Sequence, residues 1–187
     1  MANFARNTEP TQSTPATYFA ATGAGSNADP YVQAVTAREP VVVVQVGPPL
    51  DTAIYGNGDL LFDSVAMSNV ATANGGSVIL DSITAIDTSD IGAAITLIIA
   101  DSMVDFGTVN SAPTISGADA LKIVASVAIA SGDWVDLGTS RVACKGNLNI
   151  GIKCTGASNA LALAAITAGT PTFAASALTF KLAFRQA

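Results

Sequence analysis

The chain has 187 residues, of which 50% are apolar and 12% are charged, and its formal net charge at pH 7 is −6. This length suits one domain, and a globule of this size buries roughly 70% of its unfolded surface, so it can fold without disulfides or a structural metal. The acidic balance argues against a nucleic-acid partner, which requires a cationic surface. The chain has no histidine, which excludes most hydrolase triads, zinc sites and cupin-type iron sites.

The mean hydropathy is high, at +0.47, although no apolar stretch is long enough to cross a bilayer. The best stretch, residues 91–100, is followed at once by Asp101, whereas a span needs about 18 consecutive apolar residues. The N-terminal residues lack a basic region followed by an apolar one, so we expect no signal peptide and no membrane partner. A monomer needs a charged surface to stay in solution, and this chain has few charges. We therefore expect much of its surface to be covered by other protein, in an oligomer or a lattice.

Residues 1–40 differ in composition from the rest of the chain. They are rich in Thr, Ala, Ser, Pro, Asn and Gly and show no sustained helical or strand periodicity, so they cannot build a core of their own. Aromatic side chains interrupt this composition at Phe4, Tyr18, Phe19 and Tyr31. We therefore expect an extended, irregular N-terminal arm that becomes ordered along a partner, with these side chains as its anchors. A flexible terminus is the alternative.

From residue 41 onward the sequence predicts strands separated by turns. Residues 41–46 are a β-branched run that stops at Gly47-Pro48-Pro49. Asn-Gly between apolar runs predicts a β-hairpin, because both central positions of that turn need positive φ. The two cases are Asn57-Gly58, between residues 54–55 and 60–62, and Asn74-Gly75, between residues 65–70 and 77–86. Residues 95–100 are predicted to form a buried strand.

The second half of the chain continues this pattern. Residues 121–130 alternate loosely, and a turn at residues 131–133 leads into residues 134–137, where Trp134 is expected to anchor the core. Three further predicted strands are residues 141–145, 148–154 and 178–185, with Gly146-Asn147 between the first two. Two alanine-rich segments are less clear. β-Branched residues favour a strand within residues 119–130, and residues 157–168 stay open between helix and strand.

Strands without helical crossovers predict an all-β fold. We expect about eight to ten strands in an antiparallel β-sandwich, jelly roll or barrel, with the jelly roll favoured. The predicted organisation is an arm over residues 1–40 and a β-sandwich domain over residues 41–187.

Several patterns resemble functional sites but have simpler interpretations. Gly23–Ala28 fits the relaxed dinucleotide pattern G-x-G-x-x-A but has no strand before it and no helix after it. Residues 56–62 resemble a single calcium-binding nonapeptide, and Asp51, Asp59 and Asp63 could form a chance calcium site. The pairs Asp87/Asp90, Asp101/Asp105 and Asp133/Asp136 lack the aromatic lining of a glycosidase cleft. They more simply accept hydrogen bonds from turn amides. We predict no catalytic, cofactor-binding or metal site, and no enzyme.

The two cysteines, Cys144 and Cys154, fit no redox or zinc spacing. We expect two buried, apolar thiols, with a single disulfide as the alternative.

Turn and strand features follow one another in a characteristic order over residues 50–187. In sequence order these features are Tyr55 with Gly58-Asp59-Leu60, residues 75–79, residues 97–102, Asp119-Ala120, residues 134–138 and residues 178–184. In this order the chain resembles small virion proteins of tailed phages, namely head decoration (cement) or auxiliary capsid proteins of the jelly-roll type.

This resemblance implies a structural protein made in the host cytoplasm and placed on the capsid surface of the virion. It implies a homotrimer that binds the major capsid protein and bridges neighbouring capsid subunits. Four alternatives remain at this point: a head-fibre or tail-associated module that binds a host receptor or glycan, a carbohydrate-active or other small-molecule enzyme on a jelly roll, a minor coat or connector protein, and a cellular β-sandwich. The missing histidine and sparse aromatic residues argue against the enzyme.

Overall fold

The computed structural model describes residues 40–186. They form ten β-strands, a four-residue α-helix and a short 3₁₀ helix. The elements in chain order are β1 (Val41–Val46), β2 (Leu60–Met67), β3 (Ser77–Asp87), β4 (Ala94–Ala100), α1 (Gly117–Ala120), β5 (Ile123–Ile129), the 3₁₀ helix (Ser131–Asp133), β6 (Trp134–Asp136), β7 (Arg141–Lys145), β8 (Ile150–Lys153), β9 (Leu161–Ala168) and β10 (Leu178–Gln186).

The strands build two antiparallel sheets. Sheet I has six strands in the order β1-β10-β3-β7-β6, with β8 also paired to β3, and sheet II has four strands in the order β2-β9-β4-β5. β7 and β8 pair with successive parts of β3, so they act as one interrupted strand. The first four strands alternate between the two sheets, as the Greek keys of a jelly roll require. The predicted fold class is therefore confirmed.

The prediction of two Asn-Gly hairpins is wrong. Residues 54–55 lie outside any strand, and only Gly58 of the first pair has positive φ, at 90°. A hairpin turn of the expected type needs positive φ at both central positions. The second connection leads from β2 in sheet II to β3 in sheet I, so it crosses between the sheets.

Two later turns also join strands in an unexpected way. The turn at residues 131–133 connects β5 of sheet II to β6 of sheet I. Gly146-Asn147 lies between two strands that pair with the same side of β3, and the Leu148 N–H donates to the Asp81 carbonyl at 3.0 Å. This segment is therefore an irregular interruption between two parts of one strand. Asn147 and Asn149 allow it by adopting positive φ.

Both alanine-rich segments contain strands in the structure. Residues 157–168 contain β9, and residues 119–130 contain the end of α1 followed by β5. β9 is buried on both faces, which explains why its sequence is almost continuously apolar and lacks the alternation of a half-exposed strand.

The main hydrophobic core lies between the two sheets. Phe180, Leu182 and Phe184 of β10 project into it, and Phe62 of β2 meets Phe180 with ring centroids 5.7 Å apart. Trp134 is 8% exposed and its Nε1 donates to the Ala93 carbonyl at 2.9 Å. The indole therefore fixes the start of β6 to the β3–β4 loop, as expected for a core anchor.

A second fixed point holds the same end of the sandwich. The Asp87 side chain is fully buried and accepts hydrogen bonds from the backbone N–H groups of Ser89, Ile91 and Gly92, at 2.8–2.9 Å. Arg141 then binds the Asp90 carboxylate at 2.9 Å. The β3–β4 loop is thus held by charge-assisted hydrogen bonds from inside and outside.

Thr167 of β9 provides a test of the core. Its hydroxyl is buried and has no hydrogen-bond partner in the described part of the chain, which costs free energy of desolvation without compensation. We expect Thr167→Val to raise the free energy of unfolding by about 1 kcal/mol, measured by urea denaturation.

The matched control for this substitution is Thr179→Val, on the outward face of β10, where the side chain is partly exposed. This control should change stability by less than about 0.5 kcal/mol. A loss of stability in Thr167→Val would show that the hydroxyl is satisfied in solution.

Candidate protein-binding surface

The aspartates singled out from the sequence mostly bind backbone amides. Asp105, Asp133 and Asp136 accept from the N–H groups of residues 107, 130 and 138 respectively, at 2.6–2.8 Å. The interpretation of these residues as turn acceptors is confirmed there and at Asp87. Asp90 instead binds Arg141, and Asp101 accepts from the Ser102 hydroxyl.

The three carboxylates considered for calcium have structural contacts of their own. Asp51 accepts from Ala53 N–H and from the Asn110 amide, and these hydrogen bonds lower the pKa of its carboxyl. Asp59 accepts from Gly56 N–H at 2.6 Å, and Asp63 accepts from the backbone of the segment that follows β4. Residues 40–186 contain no group of three or more His, Cys, Asp or Glu side chains that could hold a metal ion.

An open depression of 270 Å³ lies beside the end of β10. It is lined by Val42, Asn69, Ala71, Thr72, Asn159 and Gln186, none of which is ionisable. The Gln186 side chain is already hydrogen-bonded, because its amide oxygen accepts from Thr72 N–H and its amide nitrogen donates to the Val70 carbonyl. This depression therefore offers no acid, base or nucleophile for chemistry.

The outer face of sheet II is covered by the chain itself. After β4, residues 101–116 return across it and place Val104 and Phe106 against Leu60, Ile98 and Ala164 in a second hydrophobic cluster. Backbone hydrogen bonds fix this covering segment: Leu60 N–H donates to the Ser111 carbonyl, and Phe106 N–H donates to Asp63. Sheet II therefore has apolar contacts on both of its faces.

The outer face of sheet I has no comparable cover among the described residues. Strand register aligns its outward side chains in rows across the sheet. One row is Val135–Val142–Ile86–Thr179, the next is Cys144–Thr84–Lys181–Gln45, and the third ends in Ser82–Ala183–Val43. We call the surface formed by these rows and Val41 the open face.

The open face exposes several apolar side chains to water. Val41, Val43 and Val135 are 59%, 60% and 61% exposed, and Cys144 is also exposed. The row that contains Thr84, Lys181 and Gln45 separates Val135 from Val43, and Arg185, which lies opposite Val41 and binds Asp81, adds a charge at the border of the face. Exposed valines on an uncovered sheet face make it the candidate interaction surface of the described residues.

The two cysteines differ in environment. Cys144 lies at one end of the central row of the open face, whereas Cys154 is buried, and both are free thiols. The expectation of two buried thiols is therefore correct for Cys154 and wrong for Cys144, because Cys144 occupies an outward position of β7. Burial raises the pKa of the Cys154 thiol, and the nearby Asp101 charge adds to this effect.

The arm anchors Phe4, Tyr18, Phe19 and Tyr31, together with the Gly23–Ala28 pattern, lie outside the described residues. The boundary at residue 40 stays a prediction for the same reason. Sequence reasoning also missed the open face. Alternation in β1 and β10 shows which residues point outward, but only the strand register shows that they form one surface.

No protein-family model and no curated protein matches the chain. Among solved structures, the chain shows similarity to the infectious bursal disease virus Gx strain (15% identity, TM-score 0.36, 78% of this chain and 31% of that one). It shows similarity to the VP2 subviral particle of infectious bursal disease virus (13%, 0.32, 80% and 33%). A third similarity is to desmodium yellow mottle tymovirus (16%, 0.25, 100% and 93%).

This chain thus covers about a third of the length of the first two of these structures. Similarities at these TM-scores carry no argument about function, and the jelly-roll assignment rests on the strand order alone. Within residues 40–186, no helix is long and apolar enough to cross a membrane.

The two thiols provide a test of the open face. With a small maleimide at pH 7.5, we expect one modified thiol per folded chain, located at Cys144, because Cys154 is buried and its pKa is raised. Mass spectrometry of the intact chain and its peptides measures this. Cys144→Ser should abolish fast labelling, and rapid labelling of Cys154 in the folded chain would contradict the assigned geometry.

Proposed function

We propose that this chain is a structural virion protein that binds the outside of a phage capsid and stabilises the shell by bridging major capsid subunits. The observation that carries the proposal is the open face, an uncovered sheet surface with exposed valines. The resemblance of residues 50–187 to decoration proteins supplies the nature of the partner. A position on the capsid surface belongs to the same proposal, whereas the homotrimer stays a prediction from the resemblance alone.

A sheet face held by a packed core suits this task physically. Sheet I is held by the core beneath it and by the Trp134 and Asp87 contacts at one end, so little conformational entropy is lost when it docks. A protein that binds only the assembled shell shifts the equilibrium towards that shell by mass action. Most side chains of the open face are apolar or uncharged and polar, with Lys181 as the exception, so a partner would contact it mainly through apolar and uncharged polar side chains.

A module that binds host glycans is less well supported. Sugar-binding surfaces commonly use exposed aromatic rings, and every aromatic residue within residues 40–186 is buried: Tyr55, Phe62, Phe106, Trp134, Phe173, Phe180 and Phe184. The exposed large side chains on its loops are aliphatic, such as Ile54, Leu121 and Leu137. These observations favour protein contact over carbohydrate contact for the described domain.

The proposal predicts the effect of charge on the open face. Val135→Lys and Cys144→Lys each place a cation on this surface, where docking would desolvate it. We expect each substitution to weaken binding to undecorated capsids of the encoding virus at least tenfold, measured by co-sedimentation. Both side chains are exposed, so the fold should be retained.

The matched control is Leu121→Lys. Leu121 is 86% exposed and lies after α1, away from sheet I. This variant should bind capsids like the unmodified chain. Equal binding by all three variants would remove the open face from the mechanism, and absence of binding by the unmodified chain would contradict the proposed function itself.

A further inference from the structure

Strand β1 forms one edge of sheet I. It pairs with β10 on one side, and no strand in the described part of the chain pairs with its other side. Its sequence, Val-Val-Val-Val-Gln-Val, contains no charge, proline or glycine, and its register with β10 runs without a bulge across the whole strand.

The hydrogen-bond phase of β1 identifies which amides face this free edge. Gln186 N–H donates to the Pro40 carbonyl at 3.1 Å, so the hydrogen-bonded positions of the β1–β10 ladder are residues 40, 42, 44 and 46. Hydrogen-bonded and non-bonded positions alternate along an antiparallel pair. The N–H and C=O groups of Val41, Val43 and Gln45 therefore point away from β10, along the free edge.

The edges at β2 and β6 are protected against strand addition, and β5, the other edge of sheet II, has a register shift in its pairing with β4. β2 carries Asp63, has two register shifts and is bonded to residues 101–116. β6 has three residues and ends in Asp136, which pairs with Arg141. Proteins usually protect exposed edges by such charges, bulges, covering segments or short strands. Within the described chain, β1 has none of these features.

We infer that β1 pairs antiparallel with β1 of a second copy of this chain, about a two-fold axis at Val43. In this register Val43 faces Val43, and Val41 faces Gln45 of the partner. Each facing pair exchanges two backbone hydrogen bonds, since all three residues present their polar groups at the edge. The sheets of the two copies then join, and their open faces lie side by side.

Charge and symmetry favour a second copy as the occupant. The chain has a net charge of −6, so copies repel each other at many surfaces, but β1 carries no charge and lets two edges approach. Every copy carries the same edge, so two copies can pair about a two-fold axis and satisfy each other's polar groups.

The expected affinity follows from the size of the contact. A stable interface buries about 800 Å² per partner, more than a six-residue strand pair supplies alone. We therefore expect a concentration-dependent dimer, which becomes fully populated where copies are held close together, as on a shell. A two-fold pair does not close a three-fold ring, so the measured mass separates it from a trimer.

The test is Val43→Pro in the full chain, studied by sedimentation equilibrium without capsids. Proline removes the N–H that faces the free edge and leaves the β10 ladder intact. The control is Val43→Thr, which replaces one methyl group of the side chain with a hydroxyl but keeps the backbone N–H. We expect the unmodified chain and Val43→Thr to dimerise. For Val43→Pro we expect a dimer dissociation constant at least tenfold higher.

Gln45→Pro repeats the test at a second outward amide if Val43→Pro fails to fold, as judged by its thermal transition. A monomer at every concentration would overturn the inference, as would a dimer or trimer that both proline variants leave unchanged. Slow amide exchange at Val43 in a monomer would also overturn it, because another part of the same chain would then occupy the edge. Capsid binding is measured in a separate experiment. A negative result for the dimer therefore does not decide whether the chain binds capsids.

Discussion

The packing of Val104 and Phe106 against sheet II decides which surface of this sandwich is available to partners. A β-sandwich has two inner faces that form the core and two outer faces that must contact water, chain or partner. Residues 101–116 cover the outer face of sheet II with a second hydrophobic cluster. The outer face of sheet I keeps exposed valines and an exposed cysteine, and the account of function depends on this asymmetry.

The use of acidic residues is consistent with a structural role. Asp87 and Asp133 each accept backbone hydrogen bonds at a strand end or turn, and Lys145 also binds Asp133 and lowers the pKa of its carboxyl. Carboxylates engaged in this way hold loops in place. The rigid sandwich that results can present a sheet face without rearrangement, which suits docking on a preformed surface.

The positions of the strands could be predicted from the sequence, but their pairing could not. β-Branched runs and period-two alternation located β1 and β10 closely, and β4 was recognised from its buried character. Turn residues were poor guides, because Asn74-Gly75 and residues 131–133 make the chain change sheets. Turn chemistry specifies a local reversal of direction and carries no information about which sheet receives the next strand.

The candidate surface was harder to predict for the same reason. Sparse charge predicted a protein-covered surface, and the alternation in β10 predicted its outward residues. Bringing Val135 and Thr179 into one row requires the pairings β6–β7, β7–β3 and β3–β10, which are long-range. The cover on sheet II comes from an aperiodic segment, and no local pattern in residues 101–116 distinguishes it from an exposed loop.

The proposed function requires that the open face becomes buried on the capsid. Labelling of Cys144 with a maleimide, carried out in parallel on free and capsid-bound chain, tests this requirement, because Cys144 is an exposed member of the face and the reaction reports local access. We expect labelling at least tenfold slower in the bound chain, with normal labelling restored when the chain is released. Equal rates in free and bound chain would show that another surface contacts the capsid, and would contradict the account.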